Sequence, residues 1–328
     1  MVDFWAGALA LAILLYVLLD GFDLGVGMLF PFAPGEAGRR QMLAAIAPVW
    51  DGNETWLVVA AAILFGAFPL VYALLLSAFY LPLLVMLAGL ILRGVAFEFR
   101  DKGGRLRPLW DAGFVAGSYA AGFIQGTAVG AVVEGLAVEN GRYAGGPFAW
   151  ASPFALLCGF GLCIGYALIG ACWLAGKGAP DIRRFSLRVL PGLMAALVVF
   201  LVAVFAHAAI LDLPVLRRWV ERPVLVLFPL IGLLAFAVMA LGLRRGDERL
   251  LFPAGAAIFA AAFATLAVSF LPYIVPFTVT IAAAAAPETS LRFLFWGAGV
   301  FVLPLTLAYT GAVYFIFRGK VRADGEYP

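Results

Sequence analysis

Charge is scarce in this 328-residue sequence. Asp, Glu, Lys and Arg make up 12% of it, hydrophobic residues 65%, and the mean hydropathy is +1.04. A soluble domain carries about 25% charged and about 45–50% apolar residues. An ordinary cytosolic globule and a disordered chain are both excluded, and the mass must sit in lipid. Histidine is scarcer still, with His207 alone. A bis-histidine haem and a three-histidine catalytic zinc cannot be built within this chain. Met194 and His207 share one predicted helix about 20 Å apart along its axis, so they cannot share an iron either. The three cysteines, Cys158, Cys163 and Cys172, are odd in number, form no C-x-x-C and fall in one apolar stretch. They read as small core residues rather than a disulfide framework or metal site. No metal site and no catalytic group is expected in this chain. The net charge of +3 points to loops facing anionic lipid headgroups rather than to nucleic acid.

Long apolar runs are what the sequence has in abundance. About 20 mostly apolar residues cross the hydrocarbon core. Nine stretches qualify, over 4–30, 43–67, 70–97, 109–137, 152–175, 189–211, 223–243, 252–281 and 290–317, each bounded by charges or a Pro/Gly break. They leave no room for a soluble domain, so residues 1–328 read as a single integral membrane domain. The first run is too long for a cleavable signal and carries Asp20 and Asp23, so it reads as an anchor that stays. With nine spans, 16 of the 22 Lys and Arg residues fall on the side of the odd loops and the C-terminal tail, Arg322 included. Five fall on the other side, and Arg93 lies inside a span. Positive charge marks the cytoplasmic side, which predicts an outside N-terminus and a cytoplasmic C-terminus. Small residues four apart, such as Gly21 and Gly25, predict close helix contacts. The segments Gly21–Phe30 and Gly161–Gly170 also resemble each other faintly. Trp5, Trp110, Trp150, Trp173 and Trp219 fall near span ends and read as interfacial anchors.

Ionisable groups inside a span cost a few kcal/mol or more and need a reason. The first span carries Asp20 and Asp23, the second Asp51 and Glu54, each pair spaced i, i+3 on one helix face. Counted from the predicted ends, Asp23 and Asp51 lie at about 10–12 Å depth in the cytoplasmic half. Four carboxylates so placed cannot all ionise in a low dielectric, and a group that takes up and releases protons near neutral pH needs that situation. Arg93, Glu98 and Asp111 add charge on the same side. Glu134 and His207, near the outer ends of their spans, read as solvated or structural. Gln125 either hydrogen-bonds across helices or lines a channel. Pro272 and Pro276 predict a kink in the middle of the eighth span.

The charged residues belong to motifs. Asp20–Gly27 reads DGFDLGVG, Pro48–Leu57 reads PVWDGNETWL, Leu92–Arg100 reads LRGVAFEFR and Leu271–Pro276 reads LPYIVP. In this order and spacing the series closely resembles subunit II of cytochrome bd-type quinol oxidases, from the first helix to the C-terminal tail, with a divergent middle third. The resemblance implies an all-α polytopic fold of two four-helix bundles plus one peripheral helix, in the cytoplasmic membrane of a bacterium or archaeon. It implies a haem-free subunit of a respiratory quinol:O2 oxidoreductase. The haem-bearing subunit I would be its partner, holding haem b together with further haem b or haem d and oxidising quinol. A small single-helix accessory subunit, lipid and quinone are the other partners it allows. By the same resemblance Asp51 is linked to proton uptake or, with Trp50, to a structural quinone. Asp20, Asp23, Arg93 and Glu98 match charged positions of the family, and Glu54 joins them through its place in the motif. Two other classes compete on the residues alone. A proton-coupled secondary transporter would also need mid-membrane carboxylates, although it would commonly show inverted repeats. A purely structural scaffold would tolerate their neutralisation.

Overall fold

The computed structural model describes residues 1–321, so Arg322, counted above in the tail, lies outside the described residues. The chain is an all-α membrane protein. Its main helices are α1 (Val2–Leu29), α2 (Gly35–Ile46), α3 (Trp50–Ala67), α4 (Pro69–Ala78), α5 (Tyr80–Phe99), α6 (Arg107–Glu134), α7 (Pro153–Lys177), α8 (Pro180–Ile210), α9 (Pro214–Glu221), α10 (Leu227–Arg245), α11 (Leu251–Phe270), α12 (Ile281–Ala284), α13 (Glu288–Leu294) and α14 (Val300–Ile316). Among the described residues, seven helical stretches are long and apolar enough to cross a membrane: α1, α5, α7, α8, α10, α11 and the run from α13 through α14. The bent pair α3 and α4 makes an eighth if counted as one span. Helix α6 has the length, about 42 Å at 1.5 Å per residue, but glycine and Ser118, Gln125 and Thr127 dilute its apolar character.

Helices α1 and α7 form the centre. From Asp20 to Leu29 every residue of α1 is buried, and so is every residue of α7 from Tyr166 to Ala175. Around them stand α3, α5, α6, α8 and α11, with α10 outside α11. The two faintly similar glycine segments lie against each other. A Cβ on Gly25 would stand 1.8 Å from the Tyr166 carbonyl oxygen, and one on Gly170 2.7 Å from the Gly25 carbonyl carbon. Backbone therefore touches backbone, which only small residues allow. The two short hairpins are Val138–Glu139 with Arg142–Tyr143, and Tyr273–Val275 with Val279–Thr280. The first turns on Asn140 and Gly141, both at positive φ, the residues that such a tight turn favours.

Prolines account for the differences from the predicted spans. The second span, expected from residue 43, starts as a helix only at Trp50, because Pro48 lacks the N–H that would continue α2. The third, expected over 70–97, is two helices. After a 119° bend α4 runs across rather than along α3, and the Pro82 ring opposes the Ala78 carbonyl and ends α4 there. The eighth, expected over 252–281, stops at Phe270. Leu271, the residue before Pro272, is extended (φ −54°, ψ 134°) as that position prefers, so the chain leaves the helix instead of kinking it. Two of the expected interfacial tryptophans are core residues. Trp5 is buried, and Trp173 stacks on Phe22 at 4.3 Å and donates to the Ala45 carbonyl.

Candidate functional site

Three helices meet at the buried half of α1. Asp20 and Asp23 lie wholly inside, and Arg93 of α5 is 1% exposed. The nearest approach of Arg93 to Asp20 is 3.9 Å, from Nη1 to Oδ1, beyond hydrogen-bond distance. Asp23 Oδ1 and the three Arg93 nitrogens have no hydrogen-bond partner among the described residues, and Asp20 has the Tyr16 hydroxyl beside it as its one donor. Ionisable groups thus converge with few protein partners, where buried polar groups are as a rule hydrogen-bonded. The guanidinium lies instead over two aromatic rings, Trp50 at 5.9 Å and Phe114 at 5.6 Å, an arrangement that holds a cation without consuming its N–H groups.

An amide flanks this cluster on each of two sides, with one tyrosine on the first and two on the second. Asn53 donates from Nδ2 to Asp23 Oδ2 at 2.7 Å and to the Leu19 carbonyl at 3.2 Å, and accepts from the Tyr314 hydroxyl at 2.9 Å. Gln125 donates from Nε2 to the Tyr16 hydroxyl at 2.7 Å and accepts from the Tyr166 hydroxyl at 2.7 Å. Gln125 therefore bonds across helices. Tyr16 stands one turn before Asp20 on α1. The Tyr166 ring fits because Gly21 has no side chain: a Cβ there would stand 2.5 Å from Tyr166 Cε1.

The other expected site residues are distributed as follows. Glu54 is half-buried and lies within electrostatic reach of Asp20, Asp23 and Arg93 on one side and Asp51 on the other. Asp51 is exposed, in the first turn of α3. The helix that carries it begins at Trp50 rather than at residue 43, because Pro48 breaks the run. A carboxylate there is favoured by the helix dipole. Trp50 packs on Phe97 with ring centres 5.1 Å apart. Glu98 is exposed on α5, away from the cluster.

Asp111 belongs to a second cluster, at the end of the bundle where α5 stops and α6 begins. There Arg100, also 1% exposed, bonds Asp111 at 2.5 Å, Glu36 at 2.9 Å and Asp101 at 3.3 Å. Arg39 bonds Asp111 at 3.0 Å and Arg107 bonds Glu36 at 3.3 Å. Partial burial alone would push the Glu36 carboxyl up. The Arg100 hydrogen bond and the charges of Arg100, Arg107 and Arg40 outweigh it and hold Glu36 below the ordinary carboxylate value. At the opposite end Glu134 accepts from Ser152, and the His207 ring stands edge-on to Phe154 at 5.8 Å. No group of three His, Cys, Asp or Glu side chains that could hold a metal occurs among the described residues. The three cysteines are free thiols.

Asn53, Tyr314, Tyr16 and Tyr166 were not anticipated. Two signals pointed to them: Asn53 lies inside the PVWDGNETWL motif, and Tyr16 precedes Asp20 by one helical turn. Tyr314 and Tyr166 carried no local signal.

The chain is similar to known proteins along nearly its whole length. The family described as "Cytochrome bd terminal oxidase subunit II" matches residues 1–317. The chain is 31% identical to a "Probable cytochrome oxidase subunit 2" of Haemophilus influenzae, over 92% of this chain and 86% of that protein. It is 28% identical to "Cytochrome bd-I ubiquinol oxidase subunit 2" of Escherichia coli, over 94% and 92%. A chain from the structure of bd oxidase from Geobacillus thermodenitrificans superposes with a TM-score of 0.74 at 16% identity, over 96% of this chain and 98% of that one. This last likeness concerns the fold.

Proposed function

The chain belongs to the cytochrome bd terminal oxidase subunit II family, and we propose that it serves a bacterial respiratory quinol oxidase as the haem-free subunit that helps bring protons to the site of oxygen reduction. It is one subunit of a quinol oxidase complex, embedded in the bacterial inner membrane. Its partner is subunit I, which on this reading holds the haems, b together with further b or d, and oxidises quinol. The chain crosses the membrane nine times, by α1, α3, α5, α6, α7, α8, α10, α11 and the run from α13 to α14. The Lys and Arg distribution supports an outside N-terminus and a cytoplasmic C-terminus.

One observation carries the proton role: Asp20, Asp23 and Arg93 converge in a buried site, and Arg93 and Asp23 Oδ1 have no hydrogen-bond partner among the described residues. A merely structural ion pair closes its hydrogen bonds, as Arg100 does. Glu54 and Asp51 extend the carboxylates to the surface of α3. Their exposed stripe continues through Thr55, Val58 and Phe65, and α5 adds Ile91 and Glu98 beside it. A carboxylate on an otherwise apolar membrane face is costly against lipid. We assign this face to subunit I, with Asp51 and Glu98 at the junction. Trp50 and Asp51 offer a ring face and a hydrogen-bond acceptor side by side, which suits a structural quinone headgroup between the subunits.

Replacing Asp51 by Asn in the assembled complex tests the reading. A positioned proton-transfer group is worth about a hundred-fold or more. Glu54 remains three residues away, so the expected fall in quinol oxidase turnover is smaller, about ten-fold. Unchanged turnover and unchanged proton uptake would remove Asp51 from the route. Loss of haem from the complex would make its role one of assembly.

A further inference from the structure

The proton route proposed above has an inner part, and its surroundings decide whether protons pass through it or only in and out. We propose that Asp20 and Asp23 form a store for one proton, with Glu54 as its one mouth. This rests on the proton role of the preceding section.

The walls carry the argument. Toward α14, Asp23 meets the Asn53 amide, and the Tyr314 hydroxyl donates into Asn53 Oδ1. Toward the middle of the membrane, the Tyr16 hydroxyl beside Asp20 is joined to Tyr166 through the Gln125 amide, which stops the chain there. An amide has two fixed N–H donors and a carbonyl acceptor. It orients neighbours but gives up no proton near neutral pH, so each bracket ends a hydrogen-bonded chain instead of extending it. Above Arg93 lie the rings of Trp50 and Phe114. Ser118, on the adjoining face of α6, spends its hydroxyl on the Phe114 carbonyl. Glu54 links the buried set to the surface: half-buried on α3, it follows Asn53, which bonds Asp23, stands one turn beyond Trp50, which lies over Arg93, and is three residues from the exposed Asp51.

Charge sets the capacity. With both carboxylates ionised, Asp20, Asp23 and Arg93 sum to one negative charge, and a buried net charge is costly. One proton neutralises the set. In loading, the Glu54 carboxyl O–H bond breaks and an O–H bond forms on an Asp20 oxygen, directly or across an ordered water. The Glu54 carboxylate left behind is reprotonated from the Asp51 side. Arg93 stays charged and shifts its pairing toward the free Asp23 Oδ1, and no electron moves.

The experiment is stopped-flow proton uptake by the intact two-subunit oxidase, read with a pH dye as quinol reduces it without oxygen. Asp20→Asn is expected to lose about one proton per complex, the charge count of the buried set. Glu54→Gln should lose the same proton from the fast phase, and Glu54→Asp should restore it, which separates proton transfer from damage to folding. Tyr314→Phe and Gln125→Leu should keep it. Full fast uptake in Glu54→Gln, or loss of the proton in either bracket variant, would overturn the single mouth while leaving the proton role standing. Full uptake in both Asp20→Asn and Glu54→Gln would overturn the proton role itself.

Discussion

Arg93 of α5 and Arg100, just past its end, are equally hidden from solvent and opposite in their ion pairing. Arg100 bonds three carboxylates, at 2.5–3.3 Å. Arg93 bonds none, and rests 3.9 Å from Asp20 between two aromatic rings. A buried charge closed on all sides by hydrogen bonds holds helices in register. A buried charge left open exerts its field on neighbouring acids and can follow their charge. The contrast separates a structural cluster at the loop end of the bundle from a working one inside it, although burial alone ranks them the same.

The largest effect expected from this contrast is on stability. Arg100→Leu leaves Glu36 and Asp111 without their main counter-charge. Breaking one partner out of a buried ion pair costs about 3–5 kcal/mol, and the partly solvated acids put this case near the lower end. The melting temperature of the purified complex should fall by several degrees, with proton uptake per assembled complex intact. Arg93→Leu should reverse the pattern. A buried acid deprived of its cation neutralises by keeping a proton, so the stability loss is smaller, about 1–2 kcal/mol. Reduction-linked proton uptake should fall more than it does in Arg100→Leu. A complex that melts earlier with Arg93→Leu than with Arg100→Leu would erase the distinction.

The smallest effect is one of pH. Glu36 is held below its unfolded value, so its contribution to stability is complete above the ordinary carboxylate range and is lost as pH falls through the depressed value. In Arg100→Leu that acid-side loss should begin at higher pH. A melting-temperature profile from pH 7 downward reads it, and identical acid limbs in both proteins would detach Glu36 from Arg100.

Much of this was legible in the sequence, for a definite reason. A charged residue in an apolar run is expensive wherever it faces, so Asp20, Asp23, Glu54 and Arg93 announce themselves. Which side of the helix such a residue occupies is less visible. Spacing i, i+3 leaves two residues about 60° apart around the axis, enough for Glu54 to face inward while Asp51 faces out. Asn53 and Tyr314 are 261 positions apart, and no local pattern joins an amide to a phenol over that distance. Pro69 and Pro82 mark where α4 begins and ends, but not that it turns by 119°. The similarity between Gly21–Phe30 and Gly161–Gly170 was readable, and its physical meaning, two backbones in contact, needed the packing.

Helix α14 has no buried residue of its own, yet its Tyr314 completes the hydrogen bonding of Asn53, and its Thr310 accepts from the Trp56 indole. The ribosome makes Asn53 long before Tyr314. At about 5–20 residues per second, the 261 intervening positions take about 13–50 s. Through that interval the nascent chain carries its intramembrane acids beside an unfinished seat. The finishing contact is made by a late-arriving helix, whose Tyr314 ring also packs against Phe22 and Trp173. Membrane quality control could thus read the docking of α14 as the sign that the acidic interior is closed and the subunit is fit for assembly.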